Sequence, residues 1–212
     1  MKILHLAYDC GGIHTRLYHD IIGAYREAGH EVVEAYLTDE LPKDYVTPAQ
    51  RTVALGYSRK MLKGLRRLLV VKQLRAFLVA ENFDVIITHR RKPAELAARA
   101  SRGMNIRKRF AVWHDEGEFD RWTKCVGAAR RLREFTLIAV SDAVRDDMLA
   151  SRAHFPREQV VTVNNAVDVA TLESQILPRA VARAQFGLLP EAFVFGNIGR
   201  LVPKKGQADL IR

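Results

Sequence analysis

Short apolar runs alternate with helix-patterned stretches along almost the whole chain, and this alternation restricts the fold more than any other feature. Strand-like runs span 2–8, 31–37, 84–88, 110–114, 137–140, 160–164 and 193–198. Helical patterns fall near 13–29, 59–80, 92–103, 120–133, 142–152 and 178–186. Val85-Ile86-Ile87 and Leu137-Ile138-Ala139-Val140 are apolar on both faces, as central parallel strands are when helices cover both sides. The expectation is an α/β fold, a doubly wound, Rossmann-like parallel sheet. Ligands of such sheets bind at the carboxyl ends of the strands, near the point where strand order reverses. The residues just after each strand are therefore the ones to search for chemistry.

The composition, 48% hydrophobic and 27% charged, excludes collagen-like and disordered chains. No apolar run approaches the roughly 20 residues that a membrane-spanning helix needs. Met1 to Leu6 enter a strand pattern directly, without a signal-peptide core. Cys10 and Cys125 are too few and too far apart for a zinc cluster or disulfide framework, which fits a reducing cytoplasm. The expected organisation is a first domain over 1–166 and a linker over 167–192, punctuated by Pro178, Gly187 and Pro190. Residues 193–212 then read as the first strand and helix start of a truncated second domain.

Three strand-to-helix turns carry candidate residues. Cys10-Gly11-Gly12-Ile13-His14 follows the first strand; paired glycines let a backbone approach a ligand, and a helix N-terminus attracts anions. The glycines lack the G-x-G-x-x-G spacing of a dinucleotide fingerprint, so a turn without ligand stands equally open. His114 and Asp115 follow Phe110–Trp113, where a histidine can bond a sugar or phosphate or move a proton; a plain surface pair is the competing reading. No second histidine stands at helical spacing from His114, which argues against a metal site. Gly199-Arg200-Leu201-Val202-Pro203-Lys204-Lys205-Gly206 sets cations beside a helix start, suited to a diphosphate or to a solvated loop, without the spacing of a P-loop.

Taken in order, these segments resemble the retaining glycosyltransferases of the GT-B fold, in the large family numbered four. Gly11-Gly12 matches that family's first loop and His114-Asp115 its mid-domain His-Asp. Val140-Ser141-Asp142 stands for Val-Ser-Glu, Asn165-Ala166-Val167-Asp168 for Asn-Gly-Val-Asp, and Gly199 to Gly206 for Gly-Arg-Leu-x-x-x-Lys-Gly. Asp142 and Ala166 depart from the usual residues. The resemblance covers essentially the whole chain and implies the N-terminal half of a GT-B enzyme that binds a nucleotide-sugar donor. It implies donor contacts at Gly11, Gly12, Arg200 and Lys205, and His114 as the site residue touching the sugar. His14, Tyr18 and His19 stand on the acceptor side; no metal or other cofactor is implied. Acceptors would be glycolipids or saccharides of bacterial polysaccharide or lipopolysaccharide assembly. The family's paired-glutamate motif lies late in the second domain and is missing here, so the 212 residues alone are expected to be inactive.

The net charge of +10 is concentrated. Residues 59–109 hold fifteen lysines and arginines against three acids, a local charge of +12, and the rest of the chain is close to neutral. Over 59–69 a helical wheel puts Met61, Leu62, Leu65, Leu68 and Leu69 on one side and Arg59, Lys60, Lys63, Arg66 and Arg67 on the other. Such a helix either docks on an anionic membrane, at the inner face of the plasma membrane, or packs its leucines on the sheet and solvates its charges. Only Phe77 and Phe83 are aromatic in this segment, which leaves little for base stacking, so nucleic acid is not expected. The rival to an enzyme is a basic nucleic-acid- or membrane-binding Rossmann-like module without catalysis. Exposed apolar residues over 193–198 imply a covering neighbour, the first domain or a second copy.

Overall fold

The computed structural model describes residues 1–10, 15–38 and 40–211. Gly11, Gly12 and His14 lie outside the described residues. The chain divides into two compact units, Met1–Val167 and Asp168–Arg212.

In the first unit, seven described strands form one wholly parallel sheet: β1 Lys2–Ala7, β2 Glu31–Tyr36, β3 Arg51–Ala54, β4 Val85–His89, β5 Lys108–Trp113, β6 Thr136–Ala139 and β7 Val160–Thr162. Their order is β3-β2-β1-β4-β5-β6-β7. Winding proceeds outward from β1 through β2 and β3, then reverses at β4, so the switch point lies between β1 and β4. Helices are α1 Thr15–Glu27, α2 Arg67–Glu81, α3 Arg91–Ala100, α4 Trp122–Cys125, α5 Ala128–Leu132 and α6 Asp142–Ala150.

Alternation along each strand builds two cores. Leu4 and Leu6 of β1, Val33 and Ala35 of β2, and Ala111 and Trp113 of β5 pack with Val70, Leu74 and Leu78 of α2, Leu96 of α3, Leu132 of α5 and Met148 of α6. On the opposite face Ile3, Val32, Val85, Ile87 and Val112 meet Ile22 of α1. The expected doubly wound sheet is thus formed, with helices on both faces. Ser141 caps α6 by accepting the Val144 amide at 3.2 Å, satisfying one of the helix's orphan donors.

Three expectations need correction. β3 escapes the pattern because an edge strand as short as Arg51-Thr52-Val53-Ala54 alternates over only four residues. The helix expected over 59–80 begins only at Arg67. Residues 59–63 form turns and Gly64–Arg66 one 3₁₀ turn, because Gly64 sits at φ +57, a left-handed conformation that interrupts a helix. The wheel over 59–69 therefore fails: Leu62 enters the core, while Leu65, Leu68 and Leu69 are 85%, 62% and 52% exposed among the basic residues. Finally, residues 193–198 belong to no strand among the described residues, since no neighbouring strand there supplies ladder hydrogen bonds.

The second unit holds α7 Val169–Gln175, α8 Arg179–Gln185 and α9 Gln207–Ile211. Asp168 caps α7 through the Thr171 amide, and Arg183 of α8 donates to the carbonyls of Leu189 and Ala192, tying down the following loop. Phe193 and Phe195 pack edge to face, 4.9 Å between ring centroids, and both are exposed.

Candidate functional site

A chain of three histidines stands at the switch point. His5 lies within β1, His89 ends β4 and His114 follows β5. His5 Nε2 is 2.7 Å from His89 Nε2, and His89 Nδ1 is 2.9 Å from His114 Nε2. His5 and His89 are wholly buried and His114 is half-buried, so the chain runs outward from the core. Tyr18 of α1 closes it from above, 4.2 Å from the His89 ring and edge-on to His5 at 5.3 Å.

His5 Nδ1 is buried without a hydrogen-bond partner. Each of the two contacts joins the N–H of one imidazole to a ring nitrogen of the next, so the three rings are linked in series. Burial, followed by the charges of His19 and His114, pushes His5 down to about 3, so the inner end of the chain stays neutral. Bonded to buried His89, the His114 ring is held in place at the strand end, where it can hydrogen-bond a ligand.

A second polar cluster lies beside the first, under α1. Glu34 of β2 is fully buried and accepts from Tyr36 Oη at 2.6 Å and Tyr45 Oη at 3.1 Å. His19 of α1 reaches Tyr45 Oη at 2.8 Å and lies 3.7 Å from Glu34. Burial, then the bonds to Glu34 and Tyr45, raises Tyr36 well above the usual phenol range. These groups satisfy one another, as buried polar groups must.

The rim of the site carries charge. Arg90, between β4 and α3, adopts φ 70 and ψ 166, a region essentially reserved for glycine. Strain of this kind clusters at functional sites, and here it brings the Arg90 guanidinium within 3.8 Å of Asp115. Glu118 lies 3.8 Å from Arg91 and 3.9 Å from Lys124, so Asp115 and Glu118 of the acidic loop after His114 are engaged by arginine and lysine.

Of the residues singled out from the sequence, His114 lies at the strand end expected. Tyr18 is only 4% exposed and packs against the histidines, while His19 bonds Tyr45 and borders Glu34. Arg200 and Lys205 are exposed in the second unit, where Gln207 donates to the Arg200 carbonyl at 3.0 Å. His5, His89 and Arg90 escaped sequence reasoning. A signal was present: His5 and His89 interrupt strands otherwise apolar, and a polar residue there must find buried partners. Among the described residues, no group of three His, Cys, Asp or Glu side chains is placed to hold a metal ion.

The seven-stranded parallel sheet with helices on both faces is the Rossmann-like fold of a GT-B N-terminal domain. The sequence profile of Glycosyltransferase Family 4 matches residues 11–171, and the chain belongs to that family. Among solved structures, a glycosyltransferase from Rickettsia africae superposes with a TM-score of 0.65 at 15% identity, over 90% of this chain and 50% of that one. Sucrose-phosphate synthase from Thermosynechococcus elongatus gives 0.66 at 15% identity, over 90% and 54%. The lipopolysaccharide outer core galactosyltransferase WaaB gives 0.62 at 15% identity, over 80% and 47%. The chain thus spans about half the length of these neighbours, and the likeness at such identity is one of fold. No curated protein matches it in sequence.

Proposed function

We propose that the chain is the acceptor-side half of a retaining glycosyltransferase, moving a sugar from a nucleotide-diphosphate donor to a glycolipid or saccharide acceptor at an anionic membrane. The observation that carries this reading is the histidine chain ending at His114 beside the switch point, in a chain of Glycosyltransferase Family 4. His114 holds the transferred sugar through a hydrogen bond. Gly11 and Gly12 offer backbone amides, Arg200 and Lys205 bind the donor diphosphate, and His14, Tyr18 and His19 stand on the acceptor side. The leaving diphosphate takes the acceptor proton, so no side chain need be a strong base. No metal is required for these steps.

Membrane attachment at the inner face of the plasma membrane is part of this reading. No described helix is long and apolar enough to cross a membrane. Exposed Leu65, Leu68 and Leu69 stand among Arg59, Lys60, Lys63, Arg66 and Arg67, combining apolar insertion with about 1 kcal/mol of attraction per cation near an anionic surface. A neighbour named for lipopolysaccharide core assembly agrees with a glycolipid acceptor and polysaccharide biosynthesis. Exposed Phe193, Phe195 and Ile198 would be covered by self-association.

The test is binding of UDP-, GDP- and ADP-sugars and of lipid-linked saccharides to the 212-residue chain, followed by saturation-transfer NMR. His114→Ala should weaken sugar contacts by about tenfold, as expected on removing one hydrogen bond. Transfer itself should be undetectable with this chain. Binding indifferent to His114, or turnover by the 212 residues, would contradict the reading.

A further inference from the structure

Between the end of α3 and α5, just before β6 begins, lies a cavity of about 370 Å³. Arg99 and Arg102 line it from the end of α3, and Arg130, Arg131 and Arg133 from α5 and the residue after it. Glu134 is the acid of the lining, and it lies 3.7 Å from Arg109. Arg131 pairs with Glu95 at 3.3 Å and donates to the Val126 carbonyl. Among the described residues, Arg99, Arg102, Arg130 and Arg133 have no ion pair.

Cations near a helix C-terminus ordinarily offset its negative end. Here other side chains do that. Arg75 donates to the carbonyls of Ala100 and Arg102, and Arg109 to those of Ser101, Met104 and Ile106. Gln159 likewise donates to the carbonyls of Leu132, at the end of α5, and Phe135, so the four unpaired arginines are not needed for that role. Arg99 is moreover half-buried, and its charge is disfavoured by burial, then by Arg67 and Arg131, with Glu95 in partial compensation.

We propose that this arginine cavity binds a phosphomonoester dianion, separately from the sugar-transfer site. Two or more negative charges are needed to offset four cations, and tetrahedral phosphate oxygens match guanidinium forks arriving from two helices. The phosphate can be free or the headgroup of a lipid such as phosphatidate.

The experiment is calorimetric titration of the 212-residue chain with inorganic phosphate, against chloride at matched ionic strength. In parallel, co-sedimentation compares vesicles containing phosphatidate with vesicles of equal surface charge made with phosphatidylglycerol. Arg99→Gln/Arg130→Gln is the test variant and Lys43→Gln/Arg152→Gln the control, both checked for an unchanged thermal melt. Phosphate binding weakened at least about tenfold in the test pair alone identifies the cavity as a site for soluble phosphate. A phosphatidate preference without phosphate binding, abolished by the same pair, identifies a headgroup site. No phosphate binding and no phosphatidate preference, or equal losses in both pairs, would overturn the proposal. Lys63→Gln/Arg66→Gln separates it from the docking surface: that pair should weaken vesicle binding generally and leave phosphate titration unchanged.

Discussion

At the scale of the residue, His5 is the most instructive position. It sits in the middle of a central strand, with Nδ1 unpartnered, and is held neutral down to about 3. An unfolded chain takes up a proton there near the ordinary 6.5, whereas the folded chain resists it. His5 therefore contributes no pH dependence above 6.5, and costs stability progressively as pH falls from 6.5 towards 3. The slope approaches about 1.4 kcal/mol per pH unit within that window. His5→Gln, whose amide can still meet His89, should flatten urea-measured stability against pH between those limits. Equal slopes in both proteins would show that His5 is not the buried neutral group described. His5 also shows what a linear reading passes over. An isolated histidine in an apolar run looks like a tolerated exception until β4 and β5 bring His89 and His114 against it.

At the scale of the element, Gly64 separates two regimes of one basic segment. Before it, Leu62 turns into the core; after it, Leu65, Leu68 and Leu69 face solvent before Val70 re-enters the core from α2. The φ of +57 at Gly64 makes this break, and a Cβ there would meet no other atom within 4 Å. Gly64→Ala should consequently cost about 1 kcal/mol through backbone strain alone, read as a lowered urea midpoint with unchanged slope. A neutral result would mean that the turn relaxes. The sequence wheel treated 59–69 as one rigid helix; a single left-handed residue was enough to invalidate it. Elements with longer patterns were legible. Six of the seven described strands and the helices α1, α3 and α6 lie within two or three residues of their expected places, because burial imposes a period on each.

At the scale of the whole molecule, the concentrated charge divides between two clusters that adjoin where Arg67 nears Arg99. Lys63, Arg66 and Arg67 join the exposed leucines at the start of α2, whereas Arg99 and Arg102 meet Arg130 and Arg133, which lie outside the basic segment altogether. On the docking reading, the chain should sediment with anionic vesicles at low salt and lose binding as salt rises. Leu65→Ser/Leu68→Ser/Leu69→Ser should spare the low-salt binding and remove what survives at high salt. Equal binding to neutral vesicles would refute electrostatic docking.

The sequence by itself determined the fold class, the strand-to-helix turns worth searching, the family motifs and the location of the excess charge. All of these are local: periodicity, turn residues and composition act over a few neighbouring positions. Tertiary structure alone decided that His5, His89 and His114 form one hydrogen-bonded chain, that Leu65 and its neighbours remain exposed, and that arginines from α3 and α5 share a cavity. His5 and His89 are 84 residues apart in sequence and 2.7 Å apart in space. Parallel strand pairing creates that contact. Its register is set by the packing of the entire sheet, so no window of the sequence could display it.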